Sequence, residues 1–373
     1  MEFDGLDDMM PYEGKVFISD CEGPITKNAS TVELCSKFIP NGERFFAVLS
    51  RYDTVMTDVV RKEGYKSGDS MKLVLPFLKA FGVTDMAMVE FYRHAIMMIP
   101  GGDKTMRYVQ EITSPFIVSS SYEHYVGAVC DHIGFPFENS YCTKCSLDSV
   151  KMDDWEAHTL RDLAHEISAM PLIDMPFSTR TIKDLRPDDR KSVQRLDQVF
   201  WNEMTDLDSY HLIMETVPVG DSEKAAAVVE VCKKIGVALE DCMYVGDDSN
   251  DTRALGIVRK GGGLAVAFNG NSNAVRESDL AVMSPHTIIT SILAEAFYRT
   301  GKDAVLELAE DWSFERLRRS GLVHEYLLKE ARRVFPGHFP EVRHVTPSNM
   351  SELMAQSASF RKTVRGESLG ALN

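Results

Sequence analysis

The sequence predicts an α/β protein with a doubly wound parallel sheet, a helical insert and a second insert. Short apolar segments such as "KVFIS" (15–19) and "SPFIVSSS" (114–121) alternate with helical segments, as parallel strands joined by crossover helices do. Two long stretches, 30–98 and 150–212, break this rhythm. Hydrophobic residues make up 44% of the chain, which argues against general disorder. The length of 373 residues suggests one large domain with insertions or two to three units.

The predicted core is discontinuous and comprises residues 12–29, 99–149 and 213–298. Its first strand, 15–19, is apolar on both faces, as expected of a central parallel strand. Further strands are predicted in "SPFIVSSS", "NSYCTKCSLD", "CMYVGDDSND", "GGGLAVAFNG" and "DLAVMS". The Ala- and Val-rich segment "SEKAAAVVEVCKKIGV" predicts a long helix packed on this sheet.

The two inserts and the C-terminal part lie outside this core. Residues 30–98 carry apolar side chains at three- and four-residue spacing, which predicts helices, and Ser30 with Glu33 has the pattern of a capping box. Residues 150–212 are charged and contain helical stretches such as "DDWEAHTLRDLAHEIS". Residues 299–373 predict a helical extension, and its last 25 or so residues, which are polar, are expected to be poorly ordered.

The charge balance and the cysteines limit the partners and the compartment. Asp and Glu number 56 against 41 Lys and Arg, a formal net charge of −15, so neither nucleic acid nor a membrane surface is an expected partner. The first residues lack a signal-peptide pattern, no apolar run reaches about 20 residues, and the seven cysteines are an odd number. We therefore expect a cytoplasmic protein with reduced thiols.

Two minor motifs are better explained by structure than by chemistry. The single C-x-x-C at Cys142 and Cys145 has no second pair at a suitable spacing, which favours buried thiols over a zinc site. The basic segments "ERLRRSG" and "KEARR" favour a solvated helix face. The alternative is that these segments dock a second copy of the chain, which would give a homodimer.

Polar side chains stand where predicted strands or helices begin or end. They are Asp20 and Glu22 after the first strand, Ser119, Ser120 and Ser121 after the second, Asp247, Asp248, Asn250 and Asp251 after "CMYVG", and Lys224 at the start of the Ala- and Val-rich helix. In a doubly wound sheet, ligands bind outside the carboxyl ends of the strands. Each motif alone is more readily explained as a turn or a solvated strand end. Their joint occurrence in this order and context predicts one shared site.

Such a site brings several carboxylates, a hydroxyl and one ammonium together. Clustered carboxylates repel one another unless a cation neutralises them, and a donor set made only of oxygen suits Mg²⁺, which commonly bridges to a phosphate. Lys224 and Ser119 would hold the phosphate oxygens. A carboxylate can act as a nucleophile, and a second acid can protonate the leaving alcohol and then activate water.

The four blocks resemble, in order and in strand context, those of the haloacid dehalogenase superfamily of phosphohydrolases. The blocks are Asp20-Cys21-Glu22-Gly23, Ser119 after "FIV", Lys224 at the start of a helix, and Gly246-Asp247-Asp248-Ser249-Asn250-Asp251. The segments "IPGGDKTMRYVQ" and "GLAVAFNGNSNAVRESDLAVMS" are similar to those of phosphoserine-phosphatase-like members. The resemblance covers roughly 15–28, 99–148 and 213–295 and implies a Rossmann-like core. The inserts at 30–98 and 150–212 fall where this family places two types of cap.

The resemblance also implies a role for each block. Asp20 would be the nucleophile, and Glu22 would be the acid/base. The implied phosphate-binding residues are Ser119, Ser120, Lys224 and Asn250. The implied ligands of Mg²⁺ are Asp20, Glu22 through its backbone carbonyl, Asp247, and Asp251 either directly or through water.

Two residues depart from the family pattern. Glu22 stands where the family usually has Asp, and Pro24 where it usually has Thr. We hypothesise that Glu22 still performs the acid/base chemistry. Loss of activity in Glu22→Gln but not in Glu22→Asp would support this hypothesis, and full activity in Glu22→Gln would contradict it.

We expect a Mg²⁺-dependent phosphatase that hydrolyses a small phosphomonoester metabolite through an aspartyl-phosphate. The inserts would close over the site, which favours small substrates over folded proteins. A phosphotransferase or mutase on the same core is one alternative, and products other than free phosphate would identify it. A regulatory protein that binds metal and a phosphate ligand without turnover is another, and tight binding without hydrolysis would identify that.

Overall fold

Seven strands form one sheet in the computed structural model, which describes residues 14–176 and 179–366. The strands are β1 (Val16–Ser19), β2 (Ser114–Tyr122), β3 (Ser140–Thr143), β4 (Cys242–Gly246), β5 (Leu264–Phe268), β6 (Leu280–Met283) and β7 (Glu341–His344). They lie in the order β3-β2-β1-β4-β5-β6-β7, and every neighbouring pair is parallel except β6 with β7. The predicted doubly wound parallel sheet is therefore confirmed, and each predicted strand is present.

Helices occupy most of the chain between the strands and after β6. They are α1 (Ser30–Phe38), α2 (Gly42–Thr54), α3 (Ser70–Ala80), α4 (Asp85–Ala95), α5 (Gly102–Ile112), α6 (Glu123–Ile133), α7 (Asp154–Ala169), α8 (Pro187–Gln198), α9 (Tyr210–Glu215), α10 (Asp221–Ile235), α11 (Thr252–Lys260), α12 (Ser272–Glu277), α13 (Ile288–Thr300), α14 (Lys302–Glu310), α15 (Phe314–Ser320), α16 (Glu325–Val334) and α17 (Met350–Arg365). Two π-helical turns, Val55–Val60 and Val199–Glu203, extend α2 and α8. Within the described residues, none of these helices has the length and apolar content to cross a bilayer.

The central strands are buried on both faces because alternate residues face two separate apolar layers. In β1, Phe17 packs in one hydrophobic cluster, while Val16 and Ile18 pack in the other. The same alternation places Val245 of β4 on the first face and Tyr244 on the second. Side chains of α5 and α13 cover the first face, and those of α10 and α11 cover the second. This is the two-sided burial that a parallel sheet requires.

The two inserts pack on each other and form one layer over the carboxyl ends of the strands. Tyr52 of α2 donates its hydroxyl proton to Asp197 of α8 at 2.6 Å and accepts the indole N–H of Trp201 at 2.8 Å. Arg161 of α7 donates to the carbonyl of Ala80 at 2.7 Å. The helices α2 and α3 also lie against α7. We call this joint layer of residues 30–98 and 150–212 the composite cap.

Two local predictions need correction. Helix α1 begins at Ser30 rather than being capped by it, and only half of the capping box is present, since Glu33 accepts the N–H of Ala29 at 3.1 Å. The last 25 residues were expected to be poorly ordered, but α17 occupies Met350–Arg365 and buries Leu353, Ser357 and Arg361. Residues 12–13 of the predicted core and 367–373 of the polar tail lie outside the described residues. The extension also supplies β7, which the sequence did not predict.

Candidate active site

The chain turns sharply after β1 and presents Asp20 at the carboxyl edge of the sheet. The N–H of Asp20 donates to the carbonyl of Val245 at 2.9 Å, so pairing with β4 continues one residue beyond the strand. Gly23 has a φ of +101°, and a Cβ built on it would lie 2.1 Å from Cγ of Asp247. Only glycine therefore allows the β1 loop to approach the β4 loop this closely.

Lys224 holds two carboxylates of the site together. Its ammonium donates to Oδ2 of Asp20 at 2.5 Å and to Oδ1 of Asp251 at 2.8 Å. Lys224 enters from the first turn of α10, and all three side chains are buried. Because a buried ammonium is stable only when it is paired, this contact fixes the loops after β1 and β4 relative to α10.

Asp251 is satisfied by four donors within its own neighbourhood. Besides Lys224, its Oδ1 accepts the hydroxyl of Tyr244 at 2.7 Å, and its Oδ2 accepts the N–H groups of Asp247 at 2.8 Å and Asp248 at 3.2 Å. Burial alone would raise the pKa of Asp251, but Lys224 and the other donors hold it below its usual value. By contrast, burial raises the pKa of Asp20 well above its usual value, although Lys224 opposes that change.

Asp247 is held by the C-terminal helix. Its Oδ2 accepts from Nη1 of Arg361, which is 1% exposed, and from Nη1 of Arg365 at 3.1 Å. Its Oδ1 is buried and has no hydrogen-bond partner among the described residues. Burial raises the pKa of Asp247 to about 7, and the two guanidinium groups oppose this rise.

Hydroxyls from the end of β2 surround Glu22. Oε1 of Glu22 accepts from Oγ of Ser121 at 2.6 Å and from the N–H of Ser30 at 3.1 Å, while Oε2 lies 3.9 Å from Nη2 of Arg365. Oγ of Ser121 also accepts from the hydroxyl of Ser119 at 3.2 Å. Oγ of Ser120 is buried without a partner among the described residues, so it can donate to a ligand.

A cavity of about 480 Å³ lies between these strand ends and the composite cap. Its floor includes Asp20, Glu22, Ser119, Ser120, Asp248 and Asn250, and its roof includes Val32, Phe46, Arg51, Asp53 and Met71. The volume is that of a small-molecule site.

Asp53 holds the cap loop between Tyr65 and Ser70 over this cavity. Its carboxylate accepts the hydroxyl of Tyr65 at 2.9 Å, the N–H of Gly68 at 3.1 Å and the N–H of Ser70 at 3.0 Å. Burial raises the pKa of Asp53 to about 6 in spite of these donors. The same loop reaches the core, because Oγ of Ser67 donates to Oδ1 of Asn250 at 3.2 Å.

Asp20, Asp248 and Asp251 form a group of carboxylates that fits a divalent cation. One oxygen from each lies within 4.8 Å of the others. The donors are all oxygen, which is the set that Mg²⁺ prefers. Asp247 is not one of these three, but its Oδ1 has no partner among the described residues. The residues present therefore fit the predicted metal, while the assignment of each ligand stays a prediction.

The structure brings most of the predicted site residues to one place. Asp20, Lys224 and Asp251 are in direct contact, and Glu22, Ser119, Ser120 and Asn250 line the same cavity. The carboxylate of Asp247 lies apart from the acidic group and pairs with arginines. The prediction placed Ser121 and Asp248 at the strand ends but gave them no role, and it missed Arg361 and Arg365. No sequence signal connected these arginines to residues more than 100 positions away.

Comparison with known proteins supports the resemblance given by the sequence motifs. A family model described as haloacid dehalogenase-like hydrolase matches residues 157–284, a range that contains Lys224 and the whole β4 loop. Over this range the chain is similar to haloacid dehalogenase-like hydrolases, and the Rossmann-like core that the resemblance implies corresponds to the sheet described above. A comparison with curated protein sequences finds no match.

Solved structures extend the likeness to the inserts and the C-terminal extension. The gene product AF1437 from Archaeoglobus fulgidus is 25% identical and matches with a TM-score of 0.77 over 97% of this chain and 99% of its own. Two phosphoserine phosphatase structures are more distant. A phospho-aspartyl intermediate analogue is 14% identical with a TM-score of 0.45, covering 76% of this chain and 98% of its own. A probable phosphoserine phosphatase from Vibrio cholerae is 10% identical with a TM-score of 0.40, covering 83% and 70%. At these scores, neither likeness supports a conclusion about this chain.

Proposed function

We propose that this chain is a haloacid dehalogenase-like phosphatase for a small phosphomonoester, with Asp20 as nucleophile and Mg²⁺ as cofactor. One observation carries the proposal. The buried carboxylate of Asp20 is held by Lys224 on the floor of a cavity of small-molecule size, beside the hydroxyl of Ser120, which has no other partner among the described residues. A binding protein does not need a buried nucleophile, a cation on it and a second acid at the same edge.

The first step forms an aspartyl-phosphate. A carboxylate oxygen of Asp20 attacks phosphorus, and the bond from phosphorus to the substrate's alcohol oxygen breaks. Glu22, when protonated, gives its proton to that oxygen, so the alcohol leaves neutral. Oε2 of Glu22 is the oxygen that carries this proton, because Oε1 already accepts from Ser121 and Ser30.

The second step hydrolyses the intermediate. The carboxylate of Glu22 takes a proton from water, the oxygen of that water attacks phosphorus, and the bond from phosphorus to Asp20 breaks. Inorganic phosphate leaves, and both acids return to their starting state. Lys224, Ser119 and Ser120 would hold the phosphoryl oxygens throughout, and Asn250 would align them from the β4 loop.

Mg²⁺ would be held by Asp20, Asp248 or Asp251, the backbone carbonyl of Glu22 and Asp247. When bound, it supplies positive charge that keeps the carboxylate group ionised and offsets the negative charge of the phosphate. The composite cap would limit the access of bulk water to Asp20, while the cavity must still admit the hydrolytic water.

The test is phosphate release from a panel of phosphomonoesters, with Mg²⁺ and with EDTA. Asp20→Asn keeps the shape of the side chain and removes the nucleophile. We expect metal-dependent release by the native chain and none by Asp20→Asn. If a folded native chain binds Mg²⁺ but releases no phosphate from any ester, the phosphatase proposal is wrong. Transfer of the phosphoryl group to a second alcohol would instead identify a phosphotransferase.

A further inference from the structure

Helix α17 reaches the active site from outside the catalytic core. It packs against α12, and Oγ of Ser357 donates to the carbonyl of Gly270 at 2.7 Å. Gly270 lies in the loop that follows β5, and the next residue, Asn271, donates its N–H to the carbonyl of Asp247 at 2.8 Å, so the last turns of α17 lie beside the loops after both β5 and β4. Arg361 is buried there, although an unpaired guanidinium is among the costliest groups to bury.

The two arginines of α17 join the loops that carry the predicted catalytic residues. Nη1 of Arg361 donates to both Oδ2 and the backbone carbonyl of Asp247, so it fixes the side chain and the main chain together. Arg365 donates through Nη1 to Asp247 and through Nη2 to the carbonyl of Asn28, in the chain segment that follows β1. Its Nη2 is also the group that faces Glu22.

Both contacts of the arginines with the Asp247 carboxylate use the same oxygen. Both guanidinium groups donate to Oδ2, while the buried Oδ1 has no partner among residues 14–176 and 179–366. A buried carboxylate oxygen without a hydrogen-bond donor is costly. Such an oxygen, close to other acidic residues, is available to coordinate a metal ion. The two arginines thus orient the Asp247 carboxylate through Oδ2, and Oδ1 is left to bind a ligand.

The charges of the same neighbourhood are consistent with a divalent cation. Five acids (Asp20, Glu22, Asp247, Asp248 and Asp251) stand against three bases (Lys224, Arg361 and Arg365), a net charge of −2 among these described side chains. One Mg²⁺ neutralises this sum. Without the two arginines the sum would be −4, and one divalent ion would leave the buried group with excess negative charge.

We propose that Arg361 and Arg365 are positioning residues for the metal, which hold Asp247 by Oδ2 so that Oδ1 is presented to Mg²⁺. Neither arginine is a catalytic residue, because each acts through Asp247. The proposal rests on the proposed function only for the identity of the ion. It makes the C-terminal extension a required part of the metal site.

Calorimetric titration of the full chain with MgCl₂ tests this proposal without measuring catalysis. For Arg361→Gln we expect the dissociation constant of Mg²⁺ to rise by roughly 10- to 100-fold, the usual effect of losing a hydrogen-bond partner of a metal ligand. Arg361→Lys should restore part of the affinity, because it returns the charge. The control is Lys362→Gln, which removes the same charge from an exposed position on the same helix and should leave the affinity unchanged.

Circular dichroism shows which variants are folded at the titration temperature. If folded Arg361→Gln binds Mg²⁺ as tightly as the native chain, or more tightly, the arginines do not position a ligand and the proposal is overturned. If Arg361→Gln does not fold, Arg365→Gln decides in the same way, with a weaker affinity expected. A native chain that binds no Mg²⁺ also overturns the proposal. A native chain that binds Mg²⁺ but hydrolyses no ester rejects only the phosphatase function.

Discussion

Asp20 and Asp247 follow neighbouring strands of the sheet, yet the protein neutralises them in opposite ways. At the end of β1, one cation lies between two anions, since Lys224 contacts both Asp20 and Asp251. At the end of β4, one anion lies between two cations, since Asp247 contacts both Arg361 and Arg365. The core helix α10 supplies the first cation, whereas the C-terminal extension supplies the other two. Asp20, the proposed nucleophile, is therefore stabilised within the core, but Asp247 depends on a helix outside it.

Removal of the cation at β1 should have the largest effect. Lys224→Met leaves Asp20 and Asp251 buried without a counter-charge, which should cost about 3–5 kcal/mol in the free energy of unfolding. Activity should fall on the order of 10²- to 10³-fold, because the phosphate also loses its ammonium contact. Urea unfolding and initial rates measure the two effects. The control is Lys233→Met, at an exposed position on the same helix, which should change neither stability nor activity. If Lys224→Met lowers the free energy of unfolding by less than about 1 kcal/mol, the carboxylates do not need Lys224.

Gly23 tests how closely the two loops must approach. Gly23→Ala would push a methyl group into the carboxyl of Asp247 and also strain a backbone with positive φ. We expect a loss of about 1–3 kcal/mol in stability and of about 100-fold in activity, because both loops carry predicted ligands.

Gly134→Ala is the matched control for Gly23→Ala. Gly134 also has a positive φ, +68°, but a Cβ there would have no described heavy atom within 4 Å. It should cost about 1 kcal/mol in stability and leave the catalytic rate intact. Equal rates in the two variants would show that the separation of the loops does not matter to catalysis.

Asp53 is a third buried carboxylate, and its hydrogen-bond donors among the described residues are neutral groups instead of cations. Its pKa of about 6 lies above the ordinary value of 3.8, so the folded protein binds this proton more tightly than the unfolded chain does. The resulting stability is fully present below about pH 4 and is lost as the pH rises through 6. The difference between the two pKa values corresponds to at most about 3 kcal/mol. Between pH 4 and 7 the melting temperature of the native chain should fall relative to that of Asp53→Asn, because Asn is neutral at every pH. Parallel curves would contradict the assignment.

The hydroxyl of Ser121 should give the smallest effect. Ser121→Ala removes one of two donors to Oε1 of Glu22 and leaves the acid itself in place. We expect the turnover number to fall by about tenfold with little change in KM, because the loss is in the orientation of the acid/base. Ser120→Ala should mainly raise KM, since its hydroxyl is free to bind phosphate. The same pattern in both variants would mean that the two hydroxyls share one role.

The sequence predicts the surroundings of Asp20 far better than those of Asp247. The four blocks stand at strand and helix ends, where parallel topology alone brings them together, so Asp20, Lys224 and Asp251 could be placed without coordinates. The surroundings of Asp247 depend on α17, which follows the core by some 60 residues and whose arginines have no motif around them. A polar, charged segment at a chain end resembles a disordered tail, and only the apolar and small residues buried against α12 make it a docked helix. Strand β7 was missed for a related reason, because a four-residue edge strand with one buried side chain has almost no pattern.

The composite cap restricts how the cavity can be opened. Each insert leaves and rejoins the core at its own pair of chain crossings, near residues 29 and 98 and near 150 and 212, and the pairing of Tyr52 with Asp197 and Trp201 joins the inserts to each other. Because these contacts fix the two inserts to each other, any opening of the cap that keeps them intact must move both inserts together.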